Sequence, residues 1–190
     1  PLDLRRPLCY PVGLFSRAVT STGSTGMFKR ILVANRGEIA MRIIRACREL
    51  DIRTVGVYAE CDATAIYEKK ADSSHLIGPG PVQGYLDMQG LVDIAKRTGA
   101  DGIHPGYGFL SENSEFASLC EASGITFIGP SPQAIHLMGN KVQAREIAKK
   151  AGVPIVPGTD QGVSNPTEAL SFAAHSGYPL MVKPSMGGGG

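Results

Sequence analysis

The sequence predicts an α/β fold, a doubly wound parallel sheet followed by the start of a second domain. Three observations carry that prediction. Short strand-like runs recur at residues 31–34, 54–58, 75–77, 101–104 and 125–128, and segments with helically spaced apolar residues lie between and after them. Strands alternating with helices build a parallel sheet covered on both faces. The chain has 190 residues, 43% hydrophobic and 19% charged, which is an ordinary globular balance with enough apolar material for a core. Beyond Gly139 the regular alternation stops, and the predicted domain boundary falls near residue 140.

Each element has its own local reason. Ile31, Leu32, Val33 and Ala34 form a strand bounded by Asn35 and Gly37. Residues 38–50 read as a helix. Ile39, Ile43, Ile44, Cys47 and Leu50 make its apolar stripe, and Arg42, Arg45 and Glu49 share another face, with Arg45 and Glu49 spaced to pair. After the second strand, Asp62 is placed to cap a helix reaching about Ala71. Residues 87–98 form a helix with Met88, Leu91, Val92 and Ala95 on one face and Gly99 as its stop. Residues 112–123 are helical, and Ser131-Pro132 opens the next helix with a capping residue and a first-turn proline.

In the second domain, residues 141–151 read as a helix stopped by Gly152, and residues 153–158 as an extended stretch. Asn165-Pro166-Thr167-Glu168 is a capping box for a helix ending before Gly177, and residues 178–183 read as a final strand. A unit of about 50 residues is too small to hold a secure core alone.

Composition excludes several functions. The net charge is +2, and Arg5, Arg6 and Arg17 against Asp3 account for it, so the chain from Met27 onward is formally neutral. It offers no basic surplus for nucleic acid or an anionic membrane. No apolar run approaches the roughly 20 residues that span a bilayer. Cys9, Cys47, Cys61 and Cys120 show neither CxxC nor zinc-ligand spacing, which points to a reducing compartment, with Cys47 and Cys120 as core filling. Residues 1–26 are rich in Ser, Thr, Gly and Pro and lack a period. They read as a disordered or non-native leader, upstream of Met27, on a cytoplasmic protein. The alternative is a transit peptide directing the chain to the mitochondrial matrix, although Pro7, Pro11 and Gly13 would break an amphipathic helix.

Three places carry chemistry. At the C-terminus an apolar run delivers Lys183, and Pro184-Ser185-Met186 leads into Gly187, Gly188, Gly189 and Gly190. Glycines let backbone N–H groups close on phosphate oxygens, and a lysine adds a point charge; a plain linker is the competing reading. This is not GxxxxGK[ST], and the turn Asn35-Arg36-Gly37-Glu38-Ile39-Ala40 is not GxGxxG, which disfavours a dinucleotide-binding dehydrogenase. The segment from His104 to Asn113 follows a strand end and displays Tyr107 between Gly106 and Gly108, as a functional loop or as a structural turn with Tyr107 in the core. Lys141 opens a helix just after Gly139-Asn140, and a solvated charge is its bland reading.

Together these motifs resemble the biotin carboxylase family. The matching pieces are ILVANRGEIAMRIIRACR at 31–48, HPGYGFLSEN at 104–113, FIGP at 127–130, MGNKV at 138–142, AGVPIVPG at 151–158, and Lys183 with the glycine run. They keep family order and spacing from Met27 to Gly190. The resemblance implies a Rossmann-like pre-ATP-grasp domain at residues 27–140 and the beginning of an ATP-grasp domain at 141–190, truncated in the glycine-rich lid. It implies a ligase that uses ATP, Mg2+ and bicarbonate to carboxylate biotin held on a carrier protein, through carboxyphosphate. Its partners would be the biotin carboxyl carrier, a carboxyltransferase and a second copy in a homodimer.

By position, Lys141, Lys183 and Gly187 to Gly190 would contact ATP, Tyr107 and Gly108 would lie near biotin or bicarbonate, and Arg42, Arg45 and Glu49 would lie at the dimer interface. The metal ligands and catalytic groups are expected beyond residue 190, so these 190 residues alone are expected to be inactive. Asn140 stands where many members carry Asp, and Pro184 where Ala is commoner. The competing activity is that of another ATP-grasp ligase.

Overall fold

The computed structural model describes residues 28–159 and 161–184. Gly187, Gly188, Gly189, Gly190 and residues 1–26 lie outside the described residues. Strand β1 (Arg30–Val33) is central and pairs in parallel with β2 (Arg53–Tyr58) and β4 (Gly102–His104). Strand β3 (Ser73–Leu76) adds beside β2 and β5 (Thr126–Phe127) beside β4, also in parallel. The order is β3-β2-β1-β4-β5, as a doubly wound sheet requires.

The pleat explains the two faces. Successive residues of a strand point to opposite sides. Ile31 and Val33 therefore join one core, with Ala40, Ile43, Ile44 and Cys47 of α1 (Gly37–Glu49) and Tyr67 of α2 (Ile66–Lys70). Leu32, Val55, Val57, Ile103 and Phe127 join the other, with Leu91, Val92 and Ala95 of α3 (Met88–Thr98) and Phe116, Ala117 and Cys120 of α4 (Ser114–Ala122). Phe116 meets Phe127 edge-on, with ring centroids 5.9 Å apart. Strands buried on both sides need apolar residues at every position, which is why β1 reads as an unbroken run. Cys47 and Cys120 fill these cores; burial raises both thiols, that of Cys120 to about 11.

Several helix ends follow their predicted signals. Asp87 accepts from Gly90 N at 3.0 Å, and Gly99 ends α3 in the left-handed conformation at φ 66°. Ser131 caps α5 (Pro132–Gly139), accepting from Ala134 N at 3.2 Å. Asn165 caps α7 (Pro166–Ser176), accepting from Glu168 N at 3.0 Å, while Glu168 accepts from Ser164 N at 2.9 Å, one residue before the cap. Between α5 and α6 (Lys141–Lys150) stands Asn140 alone. Arg145 of α6 holds the extended stretch, its guanidinium donating to the carbonyls of Val156 at 2.5 Å and Gly158 at 3.2 Å.

Four expectations need correction. Asp62 caps no long helix; it ends a 3-10 turn (Glu60–Asp62), and the five-residue α2 starts after Ala65 without a side-chain cap. Its carboxylate is taken by Arg36 and Tyr85 instead. Helix α4 begins at Ser114, because Asn113 is its cap and accepts from Phe116 N at 2.8 Å. On α1 the ion pair is Glu38–Arg42 at 3.9 Å, not Arg45–Glu49. Residues 178–183 form no strand: among the described residues the sheet has no neighbour for them, and a strand needs an adjacent ladder to satisfy its backbone.

Candidate functional site

In an open parallel sheet, ligands bind beyond the carboxyl ends of the strands, where the strand order reverses. Here that point lies between β1 and β4, and two loops meet there. Ala34 N donates to His104 O at 2.9 Å, carrying the pairing to the strand ends. The next residue, Asn35, is 3% exposed although it is polar. Its carboxamide Nδ2 donates to Pro105 O at 2.6 Å and Tyr107 O at 2.9 Å, and its Oδ1 accepts from Arg36 N at 2.9 Å. One buried side chain thus ties the loop after β1 to the loop after β4.

The loop from His104 to Asn113 is tightly wound. Gly106, Gly108 and Phe109 all have positive φ, at 68°, 70° and 44°. Gly106 is required twice over: a Cβ there would sit 2.6 Å from Ile39 Cγ2 and 2.7 Å from Asn35 Nδ2. His104 is held neutral by burial, and its Nδ1 accepts from Gly106 N at 3.0 Å, which fixes the unprotonated nitrogen. Phe109, strained for a residue with a side chain, stacks on Tyr85 at 4.9 Å and 13°. Tyr107 stands out at 70% exposure, so it is a displayed residue and not a core one.

A buried polar cluster supports this end of the sheet. Arg36 grips Asp62 with two hydrogen bonds, Nε to Oδ2 at 2.8 Å and Nη2 to Oδ1 at 2.5 Å. Tyr85 donates to Asp62 Oδ2 at 2.9 Å and accepts from Ala59 N at 3.3 Å. Tyr85 has one proton and gives it to Asp62, so in the 2.8 Å contact with Tyr67 the donor is Tyr67. The Arg36 hydrogen bonds hold the Asp62 carboxyl below its ordinary 3.8, and the same contact raises Arg36. Burial pushes the Tyr85 hydroxyl up to about 12 and raises Tyr67 as well. The pair stays ionised and both hydroxyls stay protonated near neutrality. In dinucleotide-binding sheets an acid about 20 residues beyond the glycine turn takes a ribose hydroxyl. Here Asp62, one of two acids in the loop after β2, is taken by Arg36, while Glu60 of the same loop is exposed.

The other predicted residues lie elsewhere. Lys141 is half-buried at the first position of α6, whose cap Asn140 accepts from Val142 N at 3.0 Å and Gln143 N at 3.2 Å. An ammonium at a helix N-terminus adds to the positive end of the dipole, so the end favours an anion. Asn caps as well as Asp, so Asn140 keeps that geometry. Lys183 is exposed and is not built into the sheet. Arg42, Arg45 and Glu49 lie on the exposed face of α1, away from the strand-end site. Among the described residues no group of three or more His, Cys, Asp or Glu side chains converges on a metal position. Asn35, Arg36, Asp62 and Tyr85 were not read as site residues in the sequence. The one available signal was an Asn closing an apolar run, and it served only as a strand boundary.

A doubly wound sheet with a displayed loop at its reversal point defines an α/β domain of the class that binds ligands at its strand ends. The comparisons with known proteins specify it further. The family model for the biotin carboxylase N-terminal domain matches residues 27–135, and that for the carbamoyl-phosphate synthase L chain ATP-binding domain matches residues 140–190. The chain belongs to the biotin carboxylase family.

The 2-oxoglutarate carboxylase small subunit of Hydrogenobacter thermophilus is 54% identical over 164 residues, covering 86% of this chain and 35% of the relative. Biotin carboxylase 1 of Bacillus subtilis is 54% identical over 165 residues, 86% of this chain and 37% of its own length. Human mitochondrial pyruvate carboxylase is 51% identical over 164 residues, 85% of this chain and 14% of its own. The biotin carboxylase domain dimer of the Hydrogenobacter enzyme, solved with MgADP, ADP and bicarbonate, superposes with a TM-score of 0.83 at 53% identity, covering 86% of this chain and 36% of that one. The chain therefore spans about a third of the length of the single-function biotin carboxylases it matches.

Proposed function

We propose that the protein carrying this chain catalyses the first half-reaction of a biotin-dependent carboxylase. Bicarbonate attacks the γ-phosphorus of ATP, ADP leaves, and the carboxyphosphate formed passes its carboxyl group to N1 of carrier-bound biotin while phosphate is released. The single observation that carries the reading is the HPGYGFLSEN loop at residues 104–113, held rigidly at the carboxyl end of β4 in a chain of this family.

The roles are assigned as follows. Residues 27–140 form the Rossmann-like domain and residues 141–190 the beginning of the ATP-grasp unit. Lys141 and Lys183 pair with ATP phosphates, and Gly187, Gly188, Gly189 and Gly190 close over them with backbone N–H groups. Lid closure excludes water from an intermediate that water destroys. Tyr107 and Gly108 face biotin or bicarbonate, in a loop tied to the end of β1 by two Asn35 hydrogen bonds and backed by Tyr85 through Phe109. Arg42, Arg45 and Glu49 meet a second copy, supported by their exposure on one face of α1. Mg2+ would neutralise phosphate charge, with ligands from beyond residue 190. A biotin carboxyl carrier and a carboxyltransferase complete the system in the cytoplasm, or in the mitochondrial matrix if residues 1–26 direct it there.

The test is ADP release by the intact protein with ATP, Mg2+ and bicarbonate, with and without biotin. Biotin-stimulated release is the expected outcome. ATP cleavage that depends on an amine or amino acid and ignores both free and carrier-bound biotin would assign another ATP-grasp ligase, the reading favoured by the carbamoyl-phosphate synthase match at residues 140–190.

A further inference from the structure

We propose that Asn35 is the positioning residue of the Tyr107 loop, setting through two hydrogen bonds the height at which Tyr107 and Gly108 meet the carboxyl-bearing substrates. The inference rests on the carboxylase reading for its substrates, but its geometry stands apart from that reading. Asn35 is buried, and every hydrogen bond its carboxamide makes goes to backbone: Nδ2 to the carbonyls of Pro105 and Tyr107, Oδ1 from Arg36 N. The orientation is therefore decided. A flipped amide would set an oxygen against two carbonyl oxygens and a nitrogen against an N–H.

The two carbonyls flank Gly106, whose missing Cβ leaves the space Asn35 Nδ2 occupies. Side chain and loop fit only each other. The loop is also held from behind, where Tyr85 stacks on Phe109. Between the two attachments Tyr107 is the displayed residue. The positive φ of Phe109, unlike that of a glycine, persists only where its surroundings over-determine it: Tyr85 stacks on its ring, and Asn35 anchors Pro105 and Tyr107 just before it. A buried side chain whose amide N–H groups both donate to one displayed loop, while its oxygen is held by Arg36 N, ties that loop to the end of β1.

Asn35→Asp in the intact protein tests this, because aspartate has the same shape and donates nothing when ionised. The expected result is a rise of about tenfold in KM for biotin or bicarbonate, with KM for ATP unchanged within about twofold. Amide exchange at Gly106 and Ser111, whose N–H groups donate within the loop, should accelerate while amides of β1 and β4 keep their protection. Loss of folded protein alone would lower kcat and leave every KM where it was. Unchanged biotin and bicarbonate KM values, or unchanged exchange in the loop, overturn the proposal. If the parent protein shows no biotin-stimulated ADP release, the carboxylase reading fails, and loop exchange still decides whether Asn35 holds the loop. Asn35→Ser is the second variant should a buried carboxylate prevent folding, with the same outcomes in the same directions.

Discussion

Gly106 shows how one residue can carry a loop. Its φ of 68° is poor for an L side chain, and a Cβ would enter the space of both Ile39 and Asn35 at under 3 Å. Neither neighbour is free to withdraw, since Asn35 is hydrogen-bonded on three sides and Ile39 is packed against the α1 core. Gly106→Ala should therefore cost about 2–3 kcal/mol, combining backbone strain with overpacking, read as a lower urea midpoint. Sequence reading found this loop through its glycines and its Tyr, and could not find Asn35. An Asn after an apolar run is equally a boundary marker or a clamp, and only the arrival of residues 105–107 from about 70 positions away decides which.

At the scale of elements, local signals were legible wherever the physics is local. Caps at Ser131 and Asn165 and stops at Gly99 and Gly152 stand where composition placed them, because each involves only a few consecutive residues, whereas Asp87, expected as the first helical residue, is the cap of α3. Helix α6 tests how much such a signal is worth alone, since none of its residues is buried and its cap Asn140 bonds two backbone N–H groups. Asn140→Ala should cost α6 about 1 kcal/mol. The loss should show as faster amide exchange at Val142 and Gln143 with little change in overall melting, because few tertiary contacts share the load. The expected strand at 178–183 failed for the complementary reason: an apolar run such as Leu180-Met181-Val182 is local, but a strand exists only beside another strand.

Across the whole molecule, ionised carboxylates link the fold to pH. Asp62 is held below its ordinary 3.8 by Arg36, and Asp72 by the backbone N–H of Thr54. Both have folded values below their unfolded ones. Their stabilisation is therefore complete above the unfolded value near pH 4, and it is lost as pH falls, because the unfolded chain takes up protons first. The urea midpoint should stay level near neutrality and fall as the pH drops below the unfolded value near 4. Asp62→Asn should lower the neutral midpoint, by about 2 kcal/mol, and flatten the acid slope, since one of the two linked groups is gone. An acid slope unaltered by Asp62→Asn would place the linkage in other groups.

Neighbouring residues were enough to determine the fold class, the family and the position of the loop at residues 104–113. These rest on periodicity, caps and contiguous motifs, all of which are properties of neighbouring residues. Tertiary structure alone decided that Asp62 belongs to Arg36 and Tyr85 and not to a helix cap, that Asn35 binds the displayed loop, and that Phe109 is steadied by Tyr85. Each of those contacts joins residues more than 20 positions apart. A buried polar side chain takes whatever partner the packed fold brings within reach, and no local pattern records that choice.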